Sequence, residues 1–206
     1  MEIYIVRHGE TLWNREKRLQ GRVDIELSDS GREAARLTGQ ALMETPIDLI
    51  FSSPLKRAYE TAVLIRNGRD IEIRTDDRLR ELSFGHFEGD NFSELLKDES
   101  LTFRYFFKQP ERYVPADDAE TLEHLIARAG DFMKEMIEPL SDTCSRVMIV
   151  AHGALNKGIM SYIKGHDIKD FWSGGLQQNC NVIIVDYTDG KYKILDETKL
   201  FYTPQE

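Results

Sequence analysis

Apolar residues recur along the chain in two alternating rhythms. Ile3-Tyr4-Ile5-Val6 is an unbroken apolar run of strand length, as in a strand covered on both faces. From Ser28-Asp29-Ser30-Gly31 onward, Ala34, Leu37, Thr38, Ala41 and Leu42 return at helical spacing until Thr45-Pro46 stops them. Leu49-Ile50-Phe51 reads as a second strand. Ser53-Pro54 then offers an N-cap with proline at the first helical position. Leu55, Ala58, Ala62 and Ile65 stripe the helix that follows, and Asn67-Gly68 closes it; Ile71-Glu72-Ile73 alternates as a third strand. Strand, helix, strand, helix, strand in that order predicts an α/β sheet with right-handed crossovers.

Residues 76–120 break the rhythm. They hold Phe84, Phe87, Phe92, Phe103, Tyr105, Phe106, Phe107 and Tyr113 together with Pro110 and Pro115, and they read as a loop with short helices covering part of the sheet edge. Periodicity then resumes. Leu122, Leu125, Ile126, Ala129, Met133, Met136 and Ile137 form a helical stripe ended at Pro139. Residues 146–151 form a buried strand running into His152-Gly153, and a helix continues to Gly165. Residues 181–187 and 192–195 read as strands joined through Thr188-Asp189-Gly190, a hairpin signal.

Composition narrows the classes without choosing among them. The chain has 206 residues, 41% apolar and 31% charged, enough for one sizeable core. A net charge of −9 argues against non-specific nucleic-acid binding and against docking on anionic membranes, yet a few arginines can still make one pocket positive. Two cysteines, Cys144 and Cys180, are too few for a disulfide framework. With no apolar stretch of membrane-span length and no basic leader before the first strand, the expectation is a cytoplasmic protein with no membrane partner.

The candidate chemistry sits at strand ends, where ligands bind in open α/β sheets. Arg7-His8-Gly9-Glu10-Thr11 follows the first strand, Arg57 falls in the first turn of the helix after the second, Glu81 lies just past the third, and His152-Gly153 ends the strand over 146–151. Guanidinium matches phosphate oxygens bidentately. A glycine after each histidine would let backbone approach a ligand and offer an unhindered N–H, and Gly153 would open a helix whose N-terminus favours anions. Taken singly, each residue has a plainer reading: a strand-end histidine bonded to backbone, a surface arginine, a solvated carboxylate. Two histidines and a carboxylate could also hold zinc, but HxH and HExxH spacings are absent and adjacent arginines repel a dication, so no metal and no cofactor are expected. His86, His124 and His166 read as structural or surface residues.

These residues stand in blocks that resemble the histidine phosphatase superfamily, the phosphoglycerate-mutase-like proteins. The blocks are Arg7-His8-Gly9-Glu10-Thr11 with Asn14; Gln20-Gly21; Leu27-Ser28 with Gly31; Ser52-Ser53-Pro54-Leu55-Lys56-Arg57-Ala58 with Thr61; Glu81 with Phe84-Gly85 and Glu88-Gly89; and Ala151-His152-Gly153. The resemblance spans nearly the whole chain. It implies one domain over 1–206, a three-layer α/β/α sandwich around a mostly parallel sheet, with a short helical lid over about 84–121. It implies that His8 is the nucleophile that becomes phosphorylated. Arg7, Arg57 and His152 would bind the transferring phosphoryl, Asn14, Gln20 and Gly153 would add contacts, and Glu81 would be the general acid and then base. A nucleophilic His8 needs one ring nitrogen donating to a fixed acceptor, for which a carbonyl near Gly9 is a candidate, and nearby cations would hold it unprotonated; His152 could instead be a third cation.

The segment after Glu81 is short, with Lys97, Arg104, Lys108 and Arg112 dispersed, whereas mutases of the family carry a long basic insert. The resemblance is therefore to the phosphatase branch. It implies a metal-independent phosphatase acting on a small phosphorylated metabolite through phosphohistidine, with a primed phosphoglycerate mutase as the alternative and a non-catalytic phospho-ligand binder as a third reading. Asp117-Asp118-Ala119-Glu120-Thr121 departs from the Gly-Gly-Glu-Ser type stretch of the phosphatases. Homodimerisation is left open.

Overall fold

A computed structural model describes residues 1–203. The elements are β1 (Glu2–Arg7), α1 (Leu12–Arg15), α2 (Asp29–Ala41), β2 (Leu49–Ser52), α3 (Lys56–Arg66), β3 (Ile73–Thr75), α4 (Phe92–Leu95), α5 (Leu122–Phe132), β4 (Arg146–Ala151), α6 (Gly153–Lys164), β5 (Val182–Thr188) and β6 (Lys191–Lys199); the short α1 is the one the patterning does not predict. One six-stranded sheet runs β3-β2-β4-β1-β5-β6. The pairings among β3, β2, β4 and β1 are parallel; β5 runs antiparallel to both β1 and β6.

Strand alternation sends side chains to two separate cores. Ile3, Ile5, Phe51, Val147 and Ile149 point to the face covered by Leu125, Ala129 and Phe132 of α5 and Leu155 and Ile159 of α6. Tyr4, Val6, Ile50, Met148 and Val150 point to the opposite face, under Ala34 and Ala35 of α2 and Ala58, Ala62 and Ile65 of α3. The chain is thus an α/β/α sandwich, and the continuous apolar runs of β1 and β4 reflect cover on both faces. The aromatic segment joins the first core through Leu82, Phe84, Phe103 and Phe106.

Several local expectations shift. Ser53 does not cap α3; Leu55 holds the N-cap position, and the Ser53 hydroxyl accepts the Leu55 N–H instead. The third strand begins at Ile73 and not Ile71, because its partners are Ile50, Phe51 and Ser52. On α2 the buried face takes Ala35 and Gly39 in place of Ala41, because α3 approaches closely enough that a Cβ on Gly39 would lie 2.7 Å from the Leu64 carbonyl. The stripe after α5 continues as a π-helical turn over Met133–Ile137. The hairpin turn falls on Asp189 and Gly190, at φ 52° and 73°, as its Asp-Gly pair predicts. The last strand runs on to Lys199 and is therefore longer than its apolar pattern suggests.

Candidate active site

Parallel pairing of β1 with β4 matches Arg7 to Ala151, so the next residue of each strand, His8 and His152, leaves the sheet side by side. Their ring centroids are 5.2 Å apart. The His8 N–H donates to the Ala151 carbonyl at 2.9 Å, which ties the two strand ends together. His152 is the N-cap residue of α6 and Gly153 begins the helix.

The His8 ring lies 2.7 Å, through Nδ1, from the Gly9 carbonyl oxygen. A carbonyl oxygen can only accept, so Nδ1 carries the proton and Nε2 keeps its lone pair in the neutral ring. Burial holds the His8 pKa well below its usual 6.5, and Arg57 and Arg7 push it further in the same direction. Burial likewise depresses His152, followed by Arg57 and His8. Burial and the neighbouring cations thus both favour the neutral form of the His152 ring.

Both arginines are anchored by backbone. Arg57 is fully buried and donates from Nη1 to the Val23 carbonyl at 2.8 Å and from Nη2 to the Gly21 carbonyl at 2.7 Å. Burial lowers its pKa to about 10, which leaves it charged at neutral pH. Arg7 donates from Nη1 to the Gln177 carbonyl. Glu81 approaches from the far side, its Oε1 accepting from the N–H groups of Leu82 at 2.8 Å and Leu155 at 3.0 Å and its Oε2 from Ala154 at 3.1 Å. The carboxylate thus sits on the first turn of α6. Asn14 uses Oδ1 to accept from the Thr11 N–H and hydroxyl, each at 3.0 Å, which leaves its amide NH₂ as the free donor.

Arg7, His8, Asn14, Gln20, Arg57, Glu81 and Gly153 line one cavity of about 380 Å³. His152 is the one expected site residue that does not line it; its ring stands beside His8. Of the eight side-chain atoms buried without a hydrogen-bond partner among the described residues, five belong to His152 or to residues lining this cavity: Arg7 Nε, Arg57 Nε, His152 Nδ1, Gln20 Oε1 and Trp172 Nε1. Buried polar atoms are nearly always satisfied, so such a group around one pocket marks a place prepared for a polar ligand.

Gly9 acts differently from the expectation, whereas Gly153 opens α6 and lines the cavity. The Gly9 N–H is taken by Thr61 Oγ1 at 2.9 Å, so it is not presented to a ligand, and a Cβ there would lie 2.6 Å from the Gly31 carbonyl. Gly153 leaves room for Leu176 and the Arg7 guanidinium. Asp117 and Asp118 do not line the cavity; Asp118 accepts from the His86 N–H at 2.9 Å and meets its ring at 3.0 Å.

Four supporting residues escape sequence reasoning. Ser53 Oγ lies 2.8 Å from His152 Nε2, Thr61 holds Gly9, Asn179 Nδ2 donates to the His8 carbonyl at 2.9 Å, and Gln177 Nε2 donates to the carbonyls of Ile5 and Asn181. Ser53 and Thr61 stood inside recognised blocks with no chemistry assigned. For Asn179 and Gln177 the available signal was a polar Gln-Gln-Asn run just before a buried strand.

Adjacent parallel strand ends that set His8 in one pocket with the buried Arg57 and the partly buried Arg7 define an α/β protein with a cationic pocket at the sheet edge. The family profile for the histidine phosphatase superfamily (branch 1) matches residues 3–198, and the chain belongs to that family. Phosphoserine phosphatase 1 of Hydrogenobacter thermophilus is 31% identical over 175 residues, 85% of this chain and 82% of its own. Bacillus stearothermophilus YhfR superposes with a TM-score of 0.88 at 30% identity, over 98% of this chain and 99% of its own. The mycobacterial glucosyl-3-phosphoglycerate phosphatase Rv2419c, solved with VO3, gives 0.84 at 26% identity over 94% and 96%.

Proposed function

We propose that this chain hydrolyses small phosphomonoesters through a phosphohistidine formed on His8, without a metal. The observation that carries the reading is the His8 tautomer: Nδ1–H is committed to the Gly9 carbonyl, and the neutral Nε2 is left near the buried Arg57 and the partly buried Arg7. The Nε2 lone pair forms the N–P bond as the ester P–O bond breaks. Glu81 as carboxylic acid gives its proton to the departing oxygen, and as carboxylate it then takes one from the water that attacks phosphorus, which returns His8 to its neutral form. Arg7 and Arg57 bear the charge spread over the equatorial oxygens, work that is mostly positioning and electrostatics. His152, neutral, donates from Nδ1, while Asn14, Gln20 and the start of α6 at Gly153 complete the cradle.

Hydrolysis is favoured over mutase chemistry because the cavity offers few cations beyond the phosphoryl cradle: Lys17 and Arg18. A mutase must hold a second anionic group while excluding water from the phosphohistidine. Relatives named as phosphoserine and glucosyl-3-phosphoglycerate phosphatases support the same choice. A phosphorylated metabolite in the cytoplasm is the proposed partner, in keeping with free Cys144 and Cys180. Among the described residues no helix is long and apolar enough to cross a membrane. Rapid quenching with a ³²P-labelled ester tests the reading: an acid-labile, base-stable phosphoenzyme forms and decays to phosphate, and His8→Ala forms none. A base-labile adduct, or turnover that survives in His8→Ala, would refute it.

A further inference from the structure

Besides the phosphoryl cradle, the cavity has a second group of lining residues with a different chemistry. Trp13, Phe92, Phe106, Phe107, Trp172 and Leu176 make up its apolar part. Four of these side chains brace one another. Phe106 meets Phe107 at 5.0 Å and Trp172 at 5.1 Å between ring centroids, Phe107 meets Trp172 at 4.9 Å, and Phe92 meets Phe107 at 6.2 Å. Their planes cross at 53–75°, the edge-to-face range that aromatic quadrupoles favour. Phe106 is almost wholly buried behind the wall, whereas Phe92, Phe107 and Trp172 are only half-buried, so they keep apolar surface in contact with water.

Beyond the cradle the lining adds one uncharged polar side chain among the described residues, Asn179, whose Nδ2 donates to the His8 carbonyl, and Trp172 Nε1 is buried without a hydrogen-bond partner. Among the described residues Glu81 is the one carboxylate on the lining, and three backbone N–H groups hold it. The Arg18 guanidinium stacks 4.3 Å over the Trp13 ring, donates to the Gly89 carbonyl and meets Glu16 at 3.4 Å. Lys17 is then the remaining cation, without an ion pair among the described residues. A small leaving group that carries both an ammonium and a carboxylate would place at least one charge against apolar rings, which is costly. A flat apolar leaving group would instead displace water from Phe107 and Trp172 and stack on them. The cavity's volume of about 380 Å³ suits a ring-bearing ester, not phosphate alone.

We infer that the preferred substrates are monoesters of alcohols bearing an aromatic ring, selected by the Phe92–Phe107–Trp172 wall. This inference rests on the hydrolytic reading above. The test compares kcat/KM for 2-phenylethyl phosphate, propyl phosphate and O-phosphoserine. Their leaving groups are all aliphatic hydroxyls, and that of serine is the most acidic, which works against the expected order. The phenylethyl ester should lead both others by about tenfold or more, from aromatic contact plus buried area. Phe107→Leu and Trp172→Leu should each narrow that lead toward one.

Equal or better turnover of propyl phosphate or phosphoserine by the wild-type enzyme would overturn the inference while leaving the phosphatase reading intact. A lead that persists in both folded variants would also overturn it. Absence of phosphate release and of phosphoenzyme with every ester would instead overturn the hydrolytic reading, and this inference with it. The wild-type comparison decides even if a variant fails to fold.

Discussion

His152 contacts Ser53 through Nε2 at 2.8 Å, and Ser53 in turn accepts the Leu55 N–H. The Ser53 hydroxyl proton is then free to point at His152 Nε2, which places the proton of a neutral ring on Nδ1, its one unpartnered nitrogen. Ser53→Ala removes that constraint and should lower kcat/KM by roughly tenfold, the equivalent of about one hydrogen bond, while Ser53→Thr retains most activity. Nitrogen-15 spectra of the imidazoles separate this from a merely structural loss: His152 should be Nδ1-protonated in wild type and a tautomer mixture in Ser53→Ala. His8→Ala should reduce turnover at least about 10³-fold, because no other neutral nucleophile faces the two arginines. At this scale the sequence was informative about identity. His8, Arg57 and Glu81 could be picked out from their places at strand ends and from the blocks around them. Ser53 could not be, because an N-cap serine and a histidine partner look alike until α3 is seen to start two residues later.

At the level of elements, α2 and α3 meet where Gly39 has no side chain. An added Cβ would face the carbonyls of Leu64 and Ile65 at 2.7 and 2.8 Å, and backbone cannot step aside as a flexible side chain can. Helix propensity alone favours Gly→Ala by about 1 kcal/mol, yet overpacking costs about 1–3 kcal/mol. Gly39→Ala should therefore be neutral to destabilising, never stabilising, in urea unfolding. The aromatic segment shows the limit of periodicity. Its residues 84–107 contain rings without a repeat, so pattern reading yields only a loop with short helices. The side chains differ in burial: Phe84, Phe103 and Phe106 are buried in the core beside α5, Phe84 and Phe106 also reaching the cavity, while Phe92 and Phe107 stay half-buried at it. Neighbouring phenylalanines go to different places because short 3-10 turns change direction within three or four residues.

For the whole molecule, the two buried histidines couple stability to pH. Both have folded pKa values below the ordinary 6.5, so the unfolded chain binds more protons as pH falls past that value. Stability contributed by their neutral forms is fully present above about pH 6.5 and is lost as pH drops below it. Urea midpoints should therefore fall between pH 7 and 5, and His8→Asn or His152→Asn should each flatten that slope. Activity should persist on the acid side of pH 6.5, since Nε2 of His8 stays unprotonated there, and EDTA should leave turnover unchanged. An acid limb of kcat/KM centred at or above 6.5 would contradict the first expectation, and loss of activity with chelator the second. The sequence alone determined the order of strands and helices, the apolar runs that demand cover on both faces of the sheet, and the residue types gathered at the strand ends. Those features depend on local spacing, which the chain carries in linear form. Tertiary structure decided that the Gly9 carbonyl, a candidate from the sequence, is the acceptor for His8, that His152 stands beside Ser53, that Glu81 rests on the start of α6, and which rings face the cavity. Each of those depends on burial and on partners up to about a hundred residues away, as with Ser53 and His152. Charge state and tautomer follow from such neighbours, so they are fixed only when the strands pair.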